Sequence, residues 1–493
     1  MAAPSSPAAP SSASPARSLN PWITLVVVCV AQFMVVLDAT IVNVALPSIQ
    51  KGLHFSAADL QWVVNGYTLL FGGFLLLGGR AADLLGRRRL FIAGVVLFSC
   101  ASAVNAFAES SQVLIVGRAL QGLGGALVSP AALSILTTTF TEPSERTKAL
   151  GVWSGIAAGG AAVGLLLGGV LTDLLSWRWV FIVNLPVGIG ALVAALRFVP
   201  ESRAPGVRKA FDLAGAFSVT SGLVILVYAI VKAQTYGWGS ARTLVSGAVA
   251  LSLLAAFVII ESRSASPLVR LGLLRMRTLA TANLALLFVA SGMFSMFYFA
   301  SIYVQEVLGY SPLRAGLAFL PVTLGIGAGA FGAQQLIRRF GPRAVGAGGL
   351  TVAATGMALL LRTTVHGDYL GDLLVGLLPL SIGLGLTFVP ITLLATANVG
   401  GEDAGLASGL FNTSQQVGGA LGLAILSTLA AQRTASALTS AAGSGRAAAL
   451  VSGFHVAFAA GAGLLALAAI LLVAMLRRHH VASLDLDAQP VLV

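Results

Sequence analysis

The chain has 493 residues, of which 57% are hydrophobic and only 9% charged, with a net charge of +12. A soluble domain carries roughly 25% charged residues, so a soluble enzyme or binding module is excluded and an integral membrane protein is indicated. The positive charge does not point to nucleic acid, because most basic residues lie in short loops between apolar runs, where a cytoplasmic-side excess accounts for them.

Residues 1–20 are rich in Ala, Pro and Ser, with Arg17 the only charge, and read as a disordered cytoplasmic tail. The apolar run that follows is too long for a signal-peptide core and lacks a small-x-small cleavage site, so it is expected to be retained. Fourteen runs then reach the length that crosses a bilayer as a helix. They cover about 22–45, 61–79, 89–107, 113–136, 147–171, 178–198, 211–231, 243–261, 279–304, 312–336, 344–362, 370–397, 404–431 and 453–476.

Span 1 contains FMVVLDATIVNVALP, with Asp38 in its middle and Asn43 beyond it. A carboxylate inside a span is costly and turns toward a cavity or a partner. Burial favours the neutral acid and a nearby cation favours the carboxylate, so a site held between the two can take up and release a proton. Asn65 and Tyr67 add polar groups in span 2. After it comes Gly79-Arg-Ala-Ala-Asp-Leu-Leu-Gly-Arg-Arg-Arg89. Gly79 and Gly86 permit close backbone approach at a turn. Asp83 can pair with arginines such as Arg87 and Arg88, or sit at a neighbouring helix N-terminus.

Span 4 holds Arg118, the only other charge well inside a span, one turn before Gln121. Counted at 1.5 Å per residue, Asp38 lies ~10 Å and Arg118 ~8 Å from the outer face. The two are therefore expected to interact, directly or through water and Gln121. Span 5 is glycine-rich, with Gly155, Gly159, Gly164 and Gly168 among its small residues, which lets helices pack closely in lipid. Spans 7 and 8 carry no charge near their middles, only Lys232 and Glu261 near ends, and read as a peripheral structural pair. Span 9 gathers Met293, Phe294, Met296, Phe297, Tyr298 and Phe299, side chains that suit an adaptable apolar pocket. Asn43, Asn65, Tyr67, Asn283, Asn412, Gln415 and Gln416 can supply polar contacts to a ligand. Interhelical hydrogen bonding accounts for them equally well.

A weak internal repeat organises the spans. LHFSAADLQW before span 2 is echoed by LGYSPLRAGL before span 10, and GRAADLLGRRR by RRFGPR. Ser56 with Asp59, and Ser311 with Pro312, are placed to start helices. The offset of eight spans predicts an all-α polytopic protein of two six-helix bundles with two additional helices between them. The bundles cover 21–200 and 278–477, the linker helices 201–277, and a second cytoplasmic tail 478–493. With both termini cytoplasmic, inner segments hold 20 Lys and Arg against 8 outside, the required bias. Repeated bundles mark a secondary transporter with its substrate site between them.

The 79–89 loop resembles the signature loop of the major facilitator superfamily, with Leu84 where that family usually has Arg or Lys. Leu37-Asp38-x-Thr40-Ile41-Val42-Asn43-Val44-Ala45-Leu46-Pro47 looks like the fourteen-span drug:proton antiporter family. So do Trp177-Arg178-Trp179-x-Phe181-x-x-Asn184-x-Pro186-x-Gly188 and Asn412-Thr-Ser-Gln-Gln-Val-Gly-Gly419. The antiporters have Gly-Pro in span 5, where this chain has Gly164-Leu165. The resemblance implies proton-coupled export of drugs or antibiotics by alternating access. Asp38 and Arg118 would couple protons. Gly79, Asp83, Gly86, Arg87, Arg88, Gly155, Gly159, Gly164 and Gly168 would serve gating. Asn43, Asn65, Tyr67, Gln121, Met293, Phe297, Asn412 and Gln416 are the candidate substrate contacts.

The alternative is export or proton symport of a specific metabolite, peptide or siderophore. An enzyme is not expected, because the five histidines are dispersed and no HExxH or paired-Cys pattern occurs. No metal or organic cofactor is implied, only the proton as coupling ion. The expected partners are small hydrophobic or cationic molecules and the lipid bilayer, with the chain a monomer. Usage of 25 Arg against 4 Lys suggests a GC-rich bacterial genome and hence a multi-pass protein of the bacterial cytoplasmic membrane.

Overall fold

The computed structural model describes residues 20–56, 59–203, 212–264, 267–396, 399, 404–440 and 445–476. The predicted tail over 1–20 lies outside these residues apart from Asn20, and the tail 478–493 lies outside them altogether.

Every regular element among the described residues is helical. The first half comprises α1 (Pro21–Gly52), α2 (Trp62–Leu85), α3 (Arg87–Ala106), α4 (Ser111–Thr139), α5 (Pro143–Leu174), the short α6 (Trp179–Ile182) and α7 (Asn184–Phe198). The middle holds α8 (Leu213–Tyr236) and α9 (Ala241–Arg263). The second half comprises α10 (Arg277–Ile302), α11 (Pro312–Ala318), α12 (Leu320–Leu359), α13 (Leu374–Thr396), α14 (Ala404–Ser440) and α15 (Arg446–Met475). Polar side chains start many of these helices by accepting otherwise unpaired amides. Ser110 accepts from Val113 N, Asp212 from Gly215 N and Ser240 from Thr243 N. Ser311 accepts from Arg314 N with Pro312 at the first helical position. Ser56 and Asp59 bond reciprocally, at 3.0 and 2.9 Å.

Twelve helical stretches among the described residues are long and apolar enough to cross a membrane, against the fourteen expected. Two features bear on the difference. Pro312–Arg362 runs for 51 residues as one stretch. It would be ~75 Å long if straight, against a hydrocarbon core of ~30 Å, and Gly341, at φ 77°, interrupts it just before Pro342. The 37-residue α14 is diluted by Asn412-Thr-Ser-Gln-Gln and is not among the twelve. Large apolar side chains stand exposed along outer faces, including Leu324 and Phe331 on α12 and Leu244, Val245 and Leu251 on α9. Only lipid solvates such surfaces without penalty.

Within the first half, α4 lies between α2 and α3, and α1 packs on α4, α5 and α7. In the second half, α12 pairs with α13, while α10, α14 and α15 pack together. The helix α9 packs chiefly on α8, but α8 also touches α2 and α14, so the middle pair is not wholly peripheral. Lys232 of α8 further pairs with Asp59 at 2.8 Å.

The halves meet along two flanks. On one, α2 packs on α14, where Thr413 Oγ1 donates to the Gly72 carbonyl and Gly409 lies against Leu76. On the other, α1 and α5 meet α10 and α11 beyond the level of Asp38, away from the face carrying the 79–89 loop. Ser301 Oγ donates to the Asn43 carbonyl at 2.7 Å and Gln305 Nε2 to the Val44 carbonyl at 2.9 Å. Lys51 and Glu306 form an ion pair at 2.8 Å. Gly169 and Gly316 let α5 and α11 meet backbone to backbone. Nearer the loop face, Gly151, Gly155 and Gly159 of α5 look into open space.

Candidate functional site

Asp38 and Arg118 meet. Asp38 is 0% exposed and Arg118 is 1% exposed, and Arg118 Nη1 donates to Asp38 Oδ2 at 2.5 Å. Eighty residues of sequence separate them. They are the charges predicted at matching depth, and each offsets the other's cost of burial.

The pair is built into a wider polar cluster. Gln121 Nε2 donates to Asp38 Oδ1 at 2.9 Å and to Ser102 Oγ at 2.6 Å. Gln121 Oε1 accepts from Arg118 Nη1 at 2.8 Å and from Asn105 Nδ2 at 2.5 Å. Asn184 Nδ2 donates to Asp38 Oδ1 at 2.8 Å and, at 3.3 Å, to Ser102 Oγ. Arg118 Nε donates to the Val63 carbonyl at 2.9 Å. Its guanidinium lies 4.5 Å from the Tyr67 ring centre and 5.9 Å from that of Phe181, a cation–π arrangement. Every hydrogen-bond partner of Asp38 among the described residues is therefore a donor, which suits a carboxylate and not a carboxylic acid.

Small residues make this approach possible. A Cβ on Gly164 would overlap Thr40 Oγ1 and lie 3.0 Å from the Leu37 carbonyl. A Cβ on Gly168 would sit 2.6 Å from the Ile41 carbonyl. These two predicted glycines thus press α5 onto α1 beside Asp38, whereas Gly155 and Gly159 touch nothing within 4 Å. Leu165 is buried, and α5 runs unbroken from Pro143 to Leu174.

The predicted substrate contacts fall into two groups. Tyr67 and Gln121 belong to the buried cluster. Asn65 is also buried, bonded to Gln61 Oε1 at 3.5 Å with its Oδ1 unpaired among the described residues. By contrast Asn43, Met293, Phe297, Asn412 and Gln416 are partly exposed. Ala39 is exposed in the middle of α1, one turn before Asn43. Phe297 packs on Phe319 at 5.8 Å, and Gln416 lies against Gly72 of α2. Asn43 and Asn412 donate to carbonyls of their own helices.

At the loop face, Asp83 bonds Arg87 one turn on, at 2.9 Å. Gly79 lies against Pro130 of α4. Gly86, at φ 115°, occupies a conformation suited to glycine and has no side chain with which to cap α3. Glu201 supplies the cap from a distant segment. Its Oε1 accepts from Arg88 N at 3.2 Å, and its Oε2 faces Arg89 Nε at 3.6 Å. Arg88 also donates to the Ala195 and Leu196 carbonyls at the end of α7. Replacing Glu201 with Ala should lower stability by about 1 kcal/mol, as for loss of a helix cap. Glu201→Gln should lose less, which thermal unfolding of the purified protein measures.

Sequence reasoning did not assign Asn184, Ser102, Asn105 or Glu201. Asn184 stands inside the Trp177–Gly188 motif, and Ser99, Ser102 and Asn105 form a polar line at three-residue spacing along an otherwise apolar helix.

Comparison with known proteins agrees with this architecture. Residues 28–423 match the model of the Major Facilitator Superfamily. The puromycin resistance protein of Streptomyces alboniger is 43% identical over 459 residues, covering 91% of this chain and 90% of that one. The cephamycin export protein of Amycolatopsis lactamdurans is 42% identical, covering 83% and 85% respectively. Among solved structures, a bacterial homolog of the human lysosomal transporter Spinster, inward-facing and unoccupied, aligns with a TM-score of 0.65. It has 17% identity over 92% of this chain and 96% of that one. This likeness concerns the fold alone. The chain is a multi-span membrane transporter and belongs to the major facilitator superfamily.

Proposed function

We propose that the protein exports small hydrophobic or cationic compounds, antibiotics among them, across a bacterial cytoplasmic membrane in exchange for protons. The observation that carries this reading is the buried Asp38, paired with Arg118 and surrounded only by donors. A proton arriving there removes the charge that holds Arg118 and places an O–H among other donors, so the arrangement has to change. Asp38 shares α1 with Asn43 and Val44, whose carbonyls accept the bonds that join α1 to α10. Movement of α1 therefore reaches the contact that closes the face opposite the 79–89 loop. A proton and a closed or open face become two ends of one equilibrium.

The chain crosses fourteen times in this reading. Pro312–Arg362 passes twice around Gly341, α14 crosses despite its polar run, and two six-helix halves flank α8 and α9. The Lys/Arg bias puts the loop face and both termini in the cytoplasm. The open space beside Gly151, Gly155 and Gly159 then corresponds to an inward-facing state. Asn43, Met293, Phe297, Asn412 and Gln416, with Ala39, form the substrate surface, while Tyr67 and Gln121 serve the charged cluster. The naming of the relatives as resistance and export proteins supports the substrate class.

The test is transport in inverted vesicles under an imposed pH gradient, with puromycin, cephamycin and cationic dyes in the panel. Accumulation that collapses with the gradient supports export by exchange. Substrate movement in the same direction as the protons would replace it with symport.

The outer clasp gives a separate expectation. With Cys29 and Cys100 replaced and a cysteine placed at Ala39, Gln305→Leu should speed its labelling by an impermeant thiol reagent added on the outer side. Labelling rates equal to those of the Gln305 parent would remove the clasp from the cycle.

A further inference from the structure

The geometry points to Asn184 as the positioning residue that senses the proton on Asp38, by rotating its side-chain amide about the Cβ–Cγ bond. This rests on the reading of Asp38 as the proton carrier and assigns the part that answers it.

The constraint comes from the donors at Asp38 Oδ1. Two amide nitrogens, of Gln121 and Asn184, point at that oxygen. Once it carries hydrogen, one of them must give way to an acceptor. Gln121 is poorly placed to do so. Its Oε1 already accepts from both Arg118 and Asn105, and its Nε2 also donates to Ser102. Turning it over would break all of these together. Asn184 differs, because its Oδ1 is buried and has no partner among the described residues, while the residue itself is 1% exposed. A buried carbonyl left unpaired costs free energy, and rotation puts it to use.

The covalent exchange balances, and rotation moves the Asn184 Nδ2 amide, released from Asp38 and Ser102, into the place its Oδ1 leaves. A proton from the outer aqueous side forms the O–H bond on Asp38 Oδ1, and no other covalent bond changes. The rotated Asn184 Oδ1 has two lone pairs. One accepts the new O–H of Asp38. The other can accept the hydroxyl hydrogen of Ser102, whose oxygen already accepts from the Gln121 amide. Meanwhile Arg118 keeps its bonds to Val63 and Gln121 and its seat on Tyr67.

The groups facing Asp38 are few. Tyr67 approaches from α2, with its hydroxyl directed at the Val35 carbonyl. Arg118 and Gln121 of α4 and Asn184 of α7 bond Asp38 directly, with Ser102 and Asn105 of α3 behind Gln121 and Phe181 of α6 against Arg118. Arg118 is the only charged group among them, so a change in the Asn184 amide reports on Asp38 and not on another titrating side chain.

The test is pH-difference infrared spectroscopy of the purified full-length protein, with the proton as the only ligand. Wild type should show a carboxylate band replaced by a carboxylic acid band as pH falls, together with displacement of one side-chain amide band. Asp38→Asn should abolish all three changes. Asn184→Leu should abolish the amide displacement, keep the carboxyl exchange and shift the acid band, because the new O–H has lost its acceptor. If Asn184→Leu does not fold, Asn184→Ser serves, since its hydroxyl both donates and accepts. There the acid band should persist near its wild-type position without any amide displacement. Carboxyl exchange that Asp38→Asn abolishes, accompanied by an amide band that never moves in wild type, would overturn the switch alone. Carboxyl exchange that survives in Asp38→Asn would overturn the proton-carrier reading beneath it as well.

Discussion

Asp38→Asn should reduce proton-driven transport to background while the protein still inserts in the membrane. Insertion is not impaired, because the substitution removes a charge from a span. The cost falls on Arg118, which stays buried against the Val63 carbonyl, Gln121 and two aromatic rings with no countercharge. Breaking a buried ion pair by removing one partner costs about 3–5 kcal/mol, so the variant should unfold at a lower temperature than wild type. Asp38→Asn with Arg118→Gln removes that uncompensated cation. The double variant should recover most of the lost stability and none of the transport. Stability is read by thermal unfolding and transport by the vesicle assay. Efflux at the wild-type rate from either variant would remove Asp38 from coupling.

Gly164→Ala carries the second large effect. The added methyl would overlap Thr40 Oγ1 and crowd the Leu37 carbonyl, on the helix and at the level that hold Asp38. Overpacking of this kind costs roughly 1–3 kcal/mol. Here it also pushes α1 away from α5, so transport should fall well below what that stability loss alone would cause. Thr40→Ala removes the oxygen and leaves the new methyl only tight contacts, so the double variant should regain part of the rate. Gly155→Ala and Gly159→Ala meet open space and should transport as wild type does. Equal losses at Gly155 and Gly164 would show that packing of α5 on α1 is not the cause.

How much of the site was legible depended on charge. Asp38 and Arg118 were the only ionised groups well inside spans, and buried charges must find partners, so counting residues from the span ends sufficed to bring them together. Neutral amides carry no such compulsion. Asn184, Asn105 and Asn412 look alike in the sequence, yet one faces Asp38, one supports Gln121 and one bonds its own helix. Glu201 was hidden for a related reason. It lies in an ordinary loop, and its role exists only because Gly86, far away in sequence, cannot cap α3 itself. The helices were legible from their apolar length, whereas the count was not: Pro312–Arg362 forms one stretch interrupted at Gly341, and Asn412 to Gln416 lowers the hydropathy of α14. The middle pair read as peripheral because apolar residues do not reveal which neighbour they cover.

The placement of α8 has a consequence for how a substrate enters. Leu223, Val227 and Val231 of α8 share one apolar cluster with Leu69 of α2 and with Ala420 and Ala424 of α14, and Thr220 fits against Gly73. The helix therefore lies along the seam where the two halves meet, like a gasket. A compound dissolved in the acyl chains could not slip sideways through that seam, and it would have to arrive through the aqueous mouth or by the opposite flank. In the proposed cycle α8 slides over at least one of the halves, so the gasket bears on the length of the stroke as well as on the route in.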